Sequence, residues 1–273
     1  MAAKSTTIQP VTLPNGTVLY LTNQDASTIN AGDGNFFVAD FGKTATITVG
    51  NGNSVVMTSK DGATITAGNG NQVVAATGNA NKITVGSNTS GYSIVEVGED
   101  STVRVGNGTQ YVVFTGDTNN VVEGNGTDVI YALGSCAHNT TISEGNGTNW
   151  AFLKGQNNVV TDGTGTDVNW LGGDHSSETI NAAGGTDYIY QFCNQDTLDL
   201  SKILAGLGAQ ATAVSLSKFI AITEVADAAN PGLMDTMLAI KGSGGTAMVA
   251  LMDYDSGGLT AMLTHKVIGL PAS

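Results

Sequence analysis

The chain has 273 residues, of which 37 are glycine and only 4 proline, with 12% charged and 41% apolar residues. Glycine at this frequency without a Gly-X-Y period excludes collagen, and the apolar fraction excludes a disordered linker. A formal charge of −13 with only 10 lysines and arginines argues against nucleic acid or an anionic membrane as the partner.

The first element is an N-terminal arm, residues 1–13. It has a single lysine and no apolar h-region, so it does not read as a Sec signal peptide. It is also too short to cover both strands of the coil that follows. No later run approaches transmembrane length, so membrane insertion is not expected.

Residues 14–195 repeat. A Gly-x-Gly followed by Asn or Thr recurs, its second glycine at Gly16, Gly34, Gly52, Gly70, Gly108, Gly126, Gly147, Gly165 and Gly185, with Asn88 filling one slot. Most intervals are 18 residues, which implies about ten coils. Midway through each coil stands a β-branched residue: Ile29, Ile47, Ile65, Ile83, Val103, Val121, Ile142, Val160 and Ile180, continued by Leu198. Glycine supplies the positive φ of tight turns, and Val and Ile fit a pleated, half-buried surface. One coil alone cannot bury its apolar face, whereas stacked coils form a continuous core. The expected fold is all-β: a parallel β-roll or β-solenoid with two short strands per coil.

Two polar rows accompany the glycines. Asn15, Asp33, Asn51, Asn69, Ser87, Asn107, Asn125, Asn146 and Thr164 lie between them, and Asn or Thr follows every second glycine. Such rows either form a side-chain ladder that stabilises the stack or present a regular face to ice or polysaccharide.

Gly124-Asn125-Gly126-Thr127-Asp128-Val129-Ile130-Tyr131, Gly163-Thr164-Gly165-Thr166-Asp167 and Gly184-Gly185-Thr186-Asp187-Tyr188-Ile189 resemble the hemolysin-type (RTX) nonapeptide. That resemblance implies a parallel β-roll with Ca2+ held at the turns by the Asp two residues before the buried aliphatic. On one side the equivalent row reads Val18, Phe36, Ser54, Gln72, Ser90, Gln110, Asp128, Asn149, Asp167, Asp187. On the other side Glu178 and Asp196 are the acidic members. The resemblance therefore implies Ca2+ near Asp128, Asp167 and Asp187, with Glu178 and Asp196 opposite. The alternative is that these carboxylates hydrogen-bond turn amides.

From residue 196 to 273 the texture changes. Asp196-Thr197-Leu198-Asp199-Leu200-Ser201 opens a segment with strand-like alternation over 216–223, 237–241 and 247–254. It resembles the terminal domain of type I secretion substrates, which implies export without an N-terminal signal, and it is placed to cap the open sheet edges.

Catalytic chemistry is not legible. His138, His175 and His265 are scattered, Cys136 and Cys193 form no CxxC, and the Gly-x-Gly units open no βαβ. Trp150 and Trp170, at near-equivalent positions of neighbouring coils, suit either aromatic packing or a sugar platform. The expected function is a secreted, non-enzymatic structural protein that stacks head to tail into an extracellular filament, matrix, biofilm or surface layer, with itself as partner. The alternative is a module binding ice, polysaccharide or a cell surface through its Asn/Thr rows.

Overall fold

The computed structural model describes residues 6–13, 17–132, 138–172, 179–205 and 212–270. Within them the chain is all-β, a parallel β-solenoid of about nine turns at ~18-residue spacing. It divides into two compact units, Met1–Ala137 and His138–Ser273.

In the first unit each coil contributes one strand to each of two sheets. One sheet runs Ser27–Asn30, Thr46–Val49, Thr64–Ala67, Lys82–Val85, Thr102–Val105 and Asn120–Val122; the other runs from Val18–Thr22 to Gly126–Ala132. The pairing is parallel and keeps strict register: Ile47 lies beside Ile65, Ile65 beside Ile83, and Ile83 beside Val103. All four are buried. The sequence period of β-branched residues is thus the core of the solenoid, since each apolar side chain stacks on its own copy one coil away.

One register differs from the sequence reading. Ser93, not Ser90, lies beside Gln110 in the inward row. The coil is longer here and spends the extra residues in a turn through Gly91, whose φ is +88°, so the inward slot falls three residues later.

The turns explain the glycines and the Asn column. Asn69 shows the pattern: its amide donates to Asn51 Oδ1 at 2.9 Å, and its own Oδ1 accepts from the amide of Ser87 at 2.8 Å. The chain of such bonds runs from Asp33 through Asn51, Asn69, Ser87 and Asn107 to Asn125. A second set lines the interior: Asn81 Oδ1 accepts from Ala63 N, and Asn119 Oδ1 from Ser101 N, both at 2.9 Å. Side-chain oxygens here satisfy turn amides that stacking leaves unpaired. Asn69→Ala removes one such acceptor at an exposed turn and is expected to cost about 1 kcal/mol. Asn69→Asp, which keeps the acceptor, is expected to recover most of that cost in urea denaturation.

The N-terminal arm does more than its length suggests. Thr6–Thr7 pairs in parallel with Ser27–Asn30, and Val11–Thr12 pairs antiparallel with Val18–Thr22. Pro10 stands between the two, and the chain crosses from one sheet to the other there. The expectation that thirteen residues cannot reach both strands is corrected. The cover is nonetheless short: among the described residues, no strand pairs with 20–22 on that side.

In the second unit, Gly147–Phe152, Thr166–Trp170 and Gly185–Tyr190 form one sheet and Thr141–Ser143, Val159–Thr161, Thr179–Asn181 and Thr197–Asp199 the other. The C-terminal residues extend both. Gly245–Met252 pairs in parallel with Gly185–Tyr190 and is followed outward by Met234–Gly242 and Ile220–Ala226 in antiparallel order. Ile268–Gly269 pairs with Thr197–Asp199. The first strand begins at Ile220, later than the alternation suggested. Residues Ala213–Leu216 instead form a short helix, whose start is fixed by reciprocal bonds between Thr212 and Ser215.

Candidate metal centre

In the second unit the inward row of one sheet is polar. Asn149, Asp167 and Asp187 lie side by side in register, one strand spacing apart, and all three are fully buried. Asn149 Nδ2 donates to Asp167 Oδ1 and to the carbonyl of Gly145, each at 2.8 Å. Two more acids join this row from the residue just before the Gly-x-Gly or Gly-x-Asn turn. Glu144 and Asp162 occupy the position that earlier coils fill with Ala31, Val49, Ala67, Val85 and Val105, and they are buried like those residues. The turn brings them inward, so that Glu144, Asp162 and Asp167 place carboxylate oxygens within 4.8 Å of one another.

Asn169 completes the centre. Its neighbours in register are Ala151 and Ile189, so it is the polar member of an otherwise apolar column. Its Nδ2 donates to Asp162 Oδ1 at 3.0 Å. Several buried oxygens have no hydrogen-bond donor: Asp162 Oδ2, Asp167 Oδ2, both oxygens of Asp187, and the amide oxygens of Asn149 and Asn169.

Electrostatics follow from burial. Loss of water raises Asp167 to about 6, against the opposing bonds from Asn149 and the Gly163 backbone. Burial, reinforced by the charge of Asp167, also raises Asp162. Asp187 is pushed well above the carboxylate range by burial and by the charges of Asp162 and Asp167. In the first unit, Asp128 lies beside Gln110 and is raised to about 7 by burial, with the Gln110 backbone amide opposing. Glu123 is buried at the corresponding pre-glycine position there.

Of the acids read from the sequence, the structure brings Asp167 and Asp187 together. Asp128 lies in the first unit. Asp196 sits in the turn before Thr197–Asp199, where its Oδ2 accepts from the amide of Cys193 at 2.8 Å. This is the turn-bonding role. Glu178, like Gly16, His175 and Cys136, lies outside the described residues. Reading only the Asp before the aliphatic missed Glu123, Glu144 and Asp162. The signal was present: an acid replaces an aliphatic just before the turn glycine in three successive coils.

The tryptophans favour packing. Phe152, not Trp150, lies beside Trp170. Trp170 stacks on Tyr190 with centroids 4.8 Å apart and planes 8° from parallel, and on Phe152 at 6.4 Å and 23°. Phe152 and Tyr190 thus stack against Trp170, so its faces are engaged by neighbouring rings, whereas a sugar platform needs an open face. His138 also has a structural part: its Nδ1 accepts from the amide of Gln156 at 2.8 Å, as Asn does in other turns. A further acidic group, Asp227, Asp235 and Asp253, uses carboxylate oxygens locally, Asp227 accepting from Ala229 N and Asp235 from Asp253 N.

No protein-family model, curated protein or solved structure gives a significant match to the chain. The fold and this centre define a parallel β-solenoid whose coils are joined by side-chain ladders and whose second unit has an acidic interior.

Proposed function

We propose that the chain is a secreted, non-catalytic structural protein that assembles with copies of itself into an extracellular filament, matrix or surface layer. The observation that carries this reading is the open strand Ile220–Ala226. Among the described residues it pairs on one side only, with Met234–Gly242, and Ala221, Thr223 and Val225 are exposed along it. A seven-residue edge of this kind is a template for another strand. The partly covered edge of Val18–Thr22, with Leu21 exposed, is a second such surface, and pairing of the two kinds of edge generates open chains of copies. The polar ladders support the same reading, because their oxygens are committed to neighbouring coils. The resemblance to secreted repeat proteins supports the extracellular placement.

Light scattering and electron microscopy of the purified chain test this, with Thr223→Lys/Val225→Lys as the comparison. The wild type is expected to polymerise as concentration rises, and the variant to remain monomeric with an unchanged circular dichroism spectrum. Monomeric wild type at high concentration, with and without Ca2+, overturns the reading. The exposed Asn35, Asn53 and Asn71 row then favours the second reading, a module that binds polysaccharide or ice, which glycan pull-down and thermal-hysteresis assays examine directly.

A further inference from the structure

We propose that Glu144, Asp162, Asp167 and Asp187, with the amide oxygen of Asn169, enclose a divalent cation inside the second unit. It is calcium by its chemistry. The inference stands whether or not copies of the chain assemble.

The cluster of Glu144, Asp162 and Asp167 is one observation. Asp187 is a second. It is fully buried, directly in register with Asp167 and close enough to feel the charges of Asp162 and Asp167, yet neither of its oxygens meets a donor. Asn169 is a third: an amide in an apolar column, its nitrogen bound to Asp162 and its oxygen left without a donor.

The unmatched atoms have a common character. Asp162 Oδ2, Asp167 Oδ2, both Asp187 oxygens and Asn169 Oδ1 are all acceptors. A buried set of acceptors is what a cation satisfies, and burying such groups uncompensated is costly. Packing does not require acids here, because the coils before Glu123 fill the pre-glycine position with Val or Ala, and the register neighbours of Asn169 are the apolar Ala151 and Ile189. The donors are oxygen only, and carboxylates dominate, so a hard cation is selected over a soft one. A closed cage with many protein oxygens and irregular placement suits Ca2+, whereas Mg2+ demands octahedral geometry and keeps several waters. Glu144 and Asp162 enter from the turn and are not supplied by the nonapeptide resemblance. The site is therefore a separate assignment from a row of ions along the turns.

The test uses the full chain, unfolded in chelator and refolded with or without Ca2+, so that a closed cage does not block entry. Bound metal is counted after desalting, and thermal unfolding is followed in both samples. The expected result is retained Ca2+ and a higher melting temperature, with Mg2+ producing a much smaller shift. Asn169→Val fits the neighbouring apolar column and is the informative variant. It is expected to weaken Ca2+ binding by about 10–100-fold while remaining folded, as judged by circular dichroism in chelator. Asp162→Asn/Asp187→Asn is expected to abolish the calcium-dependent rise. Wild type that retains no Ca2+ and melts identically in chelator and calcium overturns the proposal. So does an Asn169→Val protein that keeps wild-type affinity. If the double Asn variant melts higher than wild type in both conditions, the acids share protons rather than a cation, and the proposal fails.

Discussion

Gly52→Ala is expected to destabilise the first unit by several kcal/mol, enough to prevent folding or to shift the urea midpoint severely. Gly52 has φ +129°, a region that favours glycine. A Cβ there would lie 2.2 Å from the carbonyl oxygen of Gly34 and 2.9 Å from its carbon. Both obstacles are backbone of the preceding coil, so no side chain can rotate away. The same contact recurs one coil later, where a Cβ on Gly70 would meet Gly52 O at 2.2 Å. Parallel stacking fixes the distance between coils at the strand spacing, so relief at one turn strains the next. Backbone strain and overpacking each contribute about 1–3 kcal/mol. Gly32→Ala is the control. No atom lies within 4 Å of its added Cβ, and its effect is expected to stay within about 0.5 kcal/mol. Equal effects of the two substitutions in urea or thermal denaturation contradict this account of the repeat.

In chelator, stability is expected to fall as pH rises from about 4 to 7. Asp128 is buried, and its pKa goes from 3.8 to about 7 on folding. Over that interval the folded chain keeps the proton while the unfolded chain releases it. The native state then binds more protons, so stability decreases with pH and levels off above the folded value. At about 1.36 kcal/mol per pH unit, Asp128 alone sets an upper bound on the order of 4 kcal/mol. Asp167, raised to about 6, acts in the same direction. Asp128→Asn is expected to flatten this part of the profile and to stabilise the chain at pH 8. Asn149, buried at the same place in the repeat, shows that an amide is accommodated there. A profile in chelator that rises from pH 4 to 7, measured by urea denaturation, rules this out.

The repeat was legible because two independent constraints mark it. Turns need glycine at positive φ, as at Gly34, Gly52 and Gly70, and the interior needs aliphatics at one fixed offset, as at Ile47, Ile65 and Ile83. The acidic interior was only half legible. Asp167 and Asp187 stand at the offset that was read, whereas Glu144 and Asp162 stand before the turn. Only the turn itself brings Asp162 and Asp167, five residues apart, into one cluster. The Asn169 departure was hidden because an Asn is unremarkable in so Asn-rich a chain; it acquires meaning only beside Ala151 and Ile189. Loop length obscured the rest. Ser93 replaced Ser90 once the turn through Gly91 absorbed three residues. At the C-terminal segment the alternation read from residue 216 began too early: Leu216 closes the short helix Ala213–Leu216, set by the Thr212–Ser215 cap, and the strand starts only at Ile220.

Backbone pairing, a stacked apolar core and side-chain ladders hold the first coils without a metal ion, whereas the proposed cation would add to the stability of the second unit only. Hydrogen exchange of the full chain, refolded in chelator or in millimolar Ca2+ and read peptide by peptide, tests this contrast most directly. Amides in the coils from residue 17 to 105, bound by the Asp33–Asn107 ladder, are expected to exchange at the same rate in both samples. Those of Thr141–Ser143, Gly147–Phe152, Thr166–Trp170 and Gly185–Tyr190 are expected to slow markedly with calcium. Calcium-dependent protection in residues 17–105, or none around Asp162, Asp167 and Asp187, contradicts the account.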